Sequence, residues 1–570
     1  MMEDLSIQRT ERVFIRLGVK ILCGILLLIG LGWGGREAFL RLQEYRMMKQ
    51  ARVSAQKHDD RWAAIAARKV FELNPKNTEA CRLLAEVLER QGASSSVAWR
   101  LQVVKLLPDS LDDAILLGKA ALRFGDVPTA ERALEKMEGK GAGVAQFQEV
   151  KGEIALARKD TAAAQAHFKE ALRLDPDNKI FQLNLAIVQL QSSSADEKVK
   201  ASQILQGFLE EPALRKTAGR ALRDFALQRK DGRGAFEIAQ RLAGFPDAEF
   251  RDRLDYLRML RQLNHPDFPV RLLDMEEEAA IDPTKIYELL TWMSTSQQAV
   301  IAREWVKRLP AAVTTKWPVA GAVSDCYAAE KDWAGLEEWC RKTDWGDIDF
   351  LRHATLARAL REQDRTFDAE REWNLARKGI GSDGTKIYGL QQKVADWGWK
   401  RESLDLLWLL TKDPQRQNAA FGSLSQFYAA EGDTVNLYRV ILHLWELRPG
   451  DPETENNLAQ LSLLLNLDKQ RASSLAQKVY ERDPTNAVSA STYAFSLYSQ
   501  GKYAQALEAF RGVKDEDLHI PSVAAYYGMV LRANGDKAKA REFLELGQKA
   551  TLLPEERTLL AKAMAPDAGQ

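Results

Sequence analysis

The stretch Ala145–Asn178 reads AQFQEVKGEIALARKDTAAAQAHFKEALRLDPDN, and its pattern returns along most of the chain. Counting Ala145 as position 1, Gly152, Ala164, Phe168, Ala171 and Pro176 fall at positions 8, 20, 24, 27 and 32. The same template fits from Leu111, Asn418, Glu453, Ala487 and Pro521. A period near 34 residues does not build one closed core. Each unit can bury its apolar face only against its neighbour, so the chain must stack helical hairpins.

Each recurring residue has a physical task. Gly118, Gly152 and Gly528 at position 8 lie on the first helix of a unit, and Ala164, Ala506 and Ala540 at position 20 lie on the second. Small residues at both places let two helices approach closely. Phe168 and Phe510 at position 24 supply volume toward the next unit, with Ala171 again small one turn later. Prolines punctuate the units at Pro75, Pro108, Pro176, Pro414, Pro449 and Pro484. Proline cannot continue a helix and restricts the residue before it, so the second helix stops on time. The turns RKD at Arg158, EGD at Glu431 and NGD at Asn534 separate the two helices. Gly or Asn there supplies the positive φ that a helix end favours.

These Gly or Ala, Ala, aromatic, Ala and Pro positions resemble the tetratricopeptide repeat family. The resemblance covers the chain from about residue 44 onward, strongest over 111–178 and 418–554. It is weaker over 190–285, where SSSADEK, Gly207 and His265–Pro269 disturb the spacing. It implies an all-α, right-handed superhelical solenoid of helical hairpins, here preceded by a transmembrane helix. The expected organisation is a basic tail at 1–16, the membrane helix at 17–35 and a juxtamembrane helix at 36–57. Repeats follow over 44–189, degenerate repeats over 190–285, Trp-rich repeats over 286–417, C-terminal repeats over 418–554 and a tail over 555–570.

The resemblance also implies that an extended peptide binds the groove lined by positions 2, 5, 9 and 12 of each first helix. From Ala487 these are Val488, Ser491, Phe495 and Tyr498; from Pro521 they are Ser522, Ala525, Met529 and Arg532. Phe495, Tyr498 and Met529 are the candidate peptide contacts. The alternative is that tight curvature buries them against neighbouring hairpins. A carboxylate clamp would place Lys and Asn at positions 5 and 9, where this chain has Glu149 and Glu153, or Ser491 and Phe495.

Leu17–Gly35 reads LGVKILCGILLLIGLGWGG, with Lys20 its only charge. Nineteen residues at ~1.5 Å rise span roughly 28 Å, close to a bilayer core. No A-x-A cleavage site follows, and Gly30 and Gly32 are a poor substitute, which favours an uncleaved anchor over a signal peptide. Arg9, Arg12, Arg16 and Lys20 precede the apolar core, and Arg36, Arg41, Arg46, Lys49 and Arg52 follow it. That count is balanced. A short basic tail before a short apolar core favours a single-pass protein with its repeats outside the cytoplasm; the cytoplasmic orientation stays open.

The 81 Lys and Arg against 80 Asp and Glu argue against nucleic acid as a partner, because phosphate binding needs a basic surplus. The four cysteines form no CxxC pair, and Cys326 and Cys340 read as packed thiols before a disulfide. The six histidines show no metal spacing, and no phosphate loop or nucleophile elbow occurs. No catalytic, cofactor or metal residues are assigned. Eleven of the fourteen tryptophans lie between Trp292 and Trp445, with Trp305 and Trp373 at packing positions; packing is the first reading and an aromatic binding surface the second. The expectation is a non-enzymatic, membrane-anchored scaffold for protein or extended-peptide partners, in envelope assembly, secretion or polysaccharide export. The alternative is a regulatory or substrate-presenting subunit of a separate enzyme.

Overall fold

The computed structural model describes residues 38–565, which are helical throughout and contain no strand. The expected membrane helix Leu17–Gly35 lies outside the described residues. Among the described residues, no helix is long and apolar enough to cross a membrane. The chain divides into two compact units, Met1–Met275 and Glu276–Gln570.

In the first unit a helix over 38–56 pairs with Asp60–Leu73, and hairpins follow in sequence order. They include Thr78–Arg90 with Ser96–Leu106, Leu111–Arg123 with Val127–Glu135, and Ala145–Ala157 with Thr161–Leu174. The irregular stretch after residue 190 keeps the same plan: Lys179–Gln189 with Ala195–Phe208, then Arg215–Gln228 with Gly232–Ala243. His265–Pro269, which disturbs the sequence spacing, includes the turn between Phe250–Gln262 and the next helix.

One turn design closes hairpins in both units. A residue with positive φ is followed by an aspartate whose carboxylate caps the next helix. Gly125–Asp126, Lys159–Asp160, Lys230–Asp231 and Gly535–Asp536 all follow it. At Lys159 the φ is +63°, so a lysine holds the left-handed conformation that glycine takes at Gly535. Asp160 N–H bonds back to the Ala155 carbonyl at 2.9 Å, and Asp160 Oδ1 accepts from Ala163 N–H at 2.9 Å. Both ends of the turn are thereby satisfied.

The signature residues pack as their sizes require. A methyl group on Gly152 would lie 2.6 Å from the Phe168 ring, and Phe168 itself is 1% exposed. Phe168 also joins Leu185 and Val188 of the following helix, so one ring closes its own hairpin and contacts the next. At Gly118 the closest neighbour is Val150, on the next hairpin. Gly528 faces the backbone of Leu544 at 2.8 Å. Ala164, Ala171, Ala506 and Ala540 are buried, as is Phe510. Pro176 lies exposed in the turn after Thr161–Leu174, where Asn178 caps the next helix from two backbone N–H groups. A fully buried Phe contributes roughly 1.5–3 kcal/mol, so each hairpin is held mainly by such contacts.

In the second unit, hairpins run from Pro283–Thr295 to Lys537–Gly547. The expected tail at 555–570 requires correction: Pro554–Met564 is a helix. Proline at its first position costs no hydrogen bond, and Glu556 caps it by accepting from Leu553 N–H at 2.8 Å. Leu560 on this helix is buried.

Candidate binding surfaces

In the first unit, side chains on successive first helices are tied to one another. Arg82 reaches Asp113 with two bonds of 2.9 and 2.6 Å. Lys119 donates to Glu149 at 2.7 Å, and Asn184 to the same carboxylate at 3.5 Å. Asp113 is 2% exposed, and its carboxyl is held low first by the hydrogen bond from Arg82. Glu153, one turn beyond Glu149, has no such partner; burial first and the Glu149 charge second push its pKa up. This surface is a ladder of matched charges. Glu149 and Glu153 at positions 5 and 9 give it an acidic centre, the opposite of a carboxylate clamp.

The first hairpin presents a different face. Phe39, Tyr45, Trp62 and Ile65 are exposed, with Trp62 at 55%. Arg61 and Arg68 are exposed on the same helix as Trp62 and Ile65. Phe39, Leu42 and Tyr45 recur at three-residue steps on the helix over 38–56, and Trp62 comes from its partner helix Asp60–Leu73.

In the second unit the tryptophans are mainly structural. Trp292, Trp305, Trp345, Trp373 and Trp399 are buried, and of the eleven only Trp317 is classed as exposed. Trp399 packs against Trp373 and Trp397 at ring separations of 5.8 and 5.2 Å. They also clasp arginines. Arg361 lies 3.7 Å over Trp399, and Arg358 lies 5.3 Å from Trp333 and 5.1 Å from Trp397. Cys326 and Cys340 are free, buried thiols, each pushed up to about 12 chiefly by desolvation.

Two of the three candidate peptide contacts need correction. Phe495 and Met529 are 4% and 3% exposed and belong to one buried cluster with Ala494, Phe510 and Tyr526. Tyr498 is half-buried, its ring 5.4 Å from Tyr503. Phe495 packs on Tyr526 at 5.2 Å. Tyr526 was not singled out by the groove template, yet it is the polar centre here. Its hydroxyl donates to Glu556 at 2.5 Å, and Gln460 donates to the same oxygen at 2.9 Å. Of the groove positions named for this region, Val488, at 53%, and Ser522 remain exposed. Among the described residues, no group of acidic, histidine or cysteine side chains is arranged to hold a metal ion.

Comparison with known proteins agrees with the repeat pattern. A family model described as tetratricopeptide repeat matches residues 115–179, 152–198 and 494–551. No curated protein matches the chain. Among solved structures, one described as "Functional Characterization of Pseudomonas Aeruginosa pilF" is similar at 16% identity and TM-score 0.30, covering 39% of this chain and 99% of its own. "Crystal structure of APC/C hetero-tetramer Cut9-Hcn1" is similar at 14% identity and TM-score 0.25, over 93% of this chain and 98% of that one. "Structure of Naa15/Naa10 bound to HypK-THB" is similar at 14% identity and TM-score 0.26, over 91% and 78%. Segments of both units thus match the tetratricopeptide repeat model, within an all-α array of helical hairpins.

Proposed function

We propose that the protein is a membrane-tethered, non-enzymatic scaffold that holds envelope-assembly or export proteins beside the bilayer. The observation that carries this reading is the face of the first hairpin. Trp62 and Ile65 stand exposed on one helix with Arg61 and Arg68, and Phe39 and Tyr45 are exposed on the helix before it, shortly after the apolar stretch Leu17–Gly35. Aromatic and basic side chains together suit the headgroup zone, where rings enter the interface and cations meet anionic lipid.

Fractionation with a carbonate wash tests the tether: the wild-type chain should stay with membranes. Arg in place of Leu27 should cost roughly 2.5–3.5 kcal/mol of insertion and release part of the protein. Recovery of the wild-type chain in the soluble fraction would refute the tether. Pull-down from detergent-solubilised membranes tests the scaffold. Several envelope proteins are the expected catch; one stoichiometric enzyme would favour a regulatory subunit instead.

A further inference from the structure

Positive charge is concentrated on the first hairpin. Residues 38–73 carry eight Lys and Arg against four Asp and Glu, while the whole chain has a net charge of only +1. The four acids are already engaged. Asp60 takes Arg90 at 2.6 Å, Glu72 takes Lys69 at 2.9 Å, and Asp59 caps the second helix through the Trp62 N–H. Glu44 accepts from the side chains of Asn74 and Asn77 at 2.9 and 2.6 Å. Arg52 draws its partner, Glu79, from the next hairpin. Among the described residues, Arg61 and Arg68 have no carboxylate partner.

These two arginines line a cavity of about 680 Å³ together with Met47, Trp62, Ile65 and Lys69. Small-molecule sites run from roughly 300 to 1,000 Å³. Arg61, Ile65 and Arg68 fall at i, i+4 and i+7 of one helix and so share a face. The arginines start about 10 Å apart along the axis, with Ile65 between them. Trp62 has no ring partner among the described residues, whereas Trp99 of the following hairpin packs edge-on against Phe71 at 4.9 Å. A terminal repeat ordinarily keeps a polar outer face; this one joins an apolar wall to unpaired guanidiniums. A neutral ligand would leave those charges unmatched, and a free inorganic anion would leave the wall wet.

We propose that this cavity binds one anionic phospholipid, its phosphate held by Arg61 and Arg68 and an acyl chain lying against Met47, Trp62 and Ile65. A planar guanidinium matches two phosphate oxygens with parallel N–H bonds. Aromatic and aliphatic side chains beside cations are the composition that meets lipid at the acyl–headgroup boundary. This inference rests on the tether reading for the bilayer that supplies the lipid, and adds to it a single, charge-selective site.

The test titrates the full chain, in a non-ionic detergent, with dioleoylphosphatidylglycerol or dioleoylphosphatidylcholine and counts bound lipid by native mass spectrometry. The wild-type chain should take one phosphatidylglycerol at least about tenfold more tightly than phosphatidylcholine, since each basic residue beside an anionic lipid contributes about fivefold. The double variant Arg61→Gln, Arg68→Gln should lose roughly 25-fold on the same basis while its helix content holds. Arg46→Gln with Lys49→Gln removes the same charge from the same hairpin outside the cavity, and should leave the first lipid bound as in wild type. Glycerophosphoglycerol, the headgroup without its chains, should bind far more weakly than the lipid. Equal affinity for the two lipids, equal losses in the two double variants, or equal binding of the bare headgroup overturns the proposal. Displacement of the lipid by an equal concentration of polyglutamate would assign the face to an acidic protein segment and also overturn it. A carbonate-resistant chain with any of these failures keeps the tether and removes this site alone. A wild-type chain in the soluble fraction, with selective binding intact, would refute the tether alone.

Discussion

Replacing Gly152 with alanine sets two effects of known sign against each other. The new methyl group would lie 2.6 Å from Phe168 Cε1 and 2.8 Å from Cδ1 and Cζ. Ordinary carbon contacts need about 3.5 Å or more, so the ring must retreat by close to 1 Å. Phe168 is 1% exposed and shares its cluster with Ala164, Leu185 and Val188, which leaves it no open side. Overpacking of this kind costs about 1–3 kcal/mol. Alanine in a helix interior returns about 1 kcal/mol over glycine. The net expectation is a loss of about 1 kcal/mol, confined to the hairpin 145–174 and its neighbours because a repeat array shares stability locally. Shortening the ring should relieve the clash. Phe168→Leu alone should cost about 1–2 kcal/mol by leaving space, and the double variant should cost less than the sum by at least about 0.5 kcal/mol. Hydrogen exchange of amides in 145–174 measures each value. Strictly additive costs, or a gain in stability from Gly152→Ala, would refute the claim that this glycine exists to admit Phe168.

Three further outcomes are expected. Lys159→Gly should stabilise its hairpin by about 0.5–1 kcal/mol, because glycine holds a positive φ without the Cβ penalty; a loss in thermal denaturation would contradict the turn geometry. Glu153 has its pKa raised on folding, mainly by burial, so its ionisation works against the native state. That cost is absent below the unfolded pKa and grows as pH rises to the folded one. Glu153→Gln should thus stabilise the first unit at pH 7 and change little at pH 4, and equal effects at both pH values would refute the assignment. In a Cys23→Ser background, Cys81, Cys326 and Cys340 should resist alkylation at pH 8 until the chain unfolds, since all three are buried and the last two titrate at about 12. Rapid labelling of the folded chain would show that those thiols open.

Much of the architecture was legible because it is written in local, repeating terms. The spacing of Gly152, Ala164, Phe168 and Ala171 specifies how close two helices can come, and Asp or Asn after a turn specifies where the next helix starts. Local geometry still held a surprise at Lys159, where a hydrogen-bonded turn of fixed shape imposes left-handed φ on a residue that does not favour it. The irregular stretch after residue 190 looked degenerate because its turns vary in length, yet its helices keep their apolar faces and pair as the others do. Tertiary structure alone decided which groove residues are open. Phe495 and Met529 occupy the positions that point inward, and no local pattern distinguishes a wall that meets solvent from one inside a core. Their neighbour Tyr526 is closed over by Glu556, 30 residues further along, and Gln460 reaches the same carboxylate from 96 residues before it. A period of 34 residues determines nearest-neighbour packing; it carries no information about a contact that skips two hairpins, because such a contact depends on the path of the whole unit.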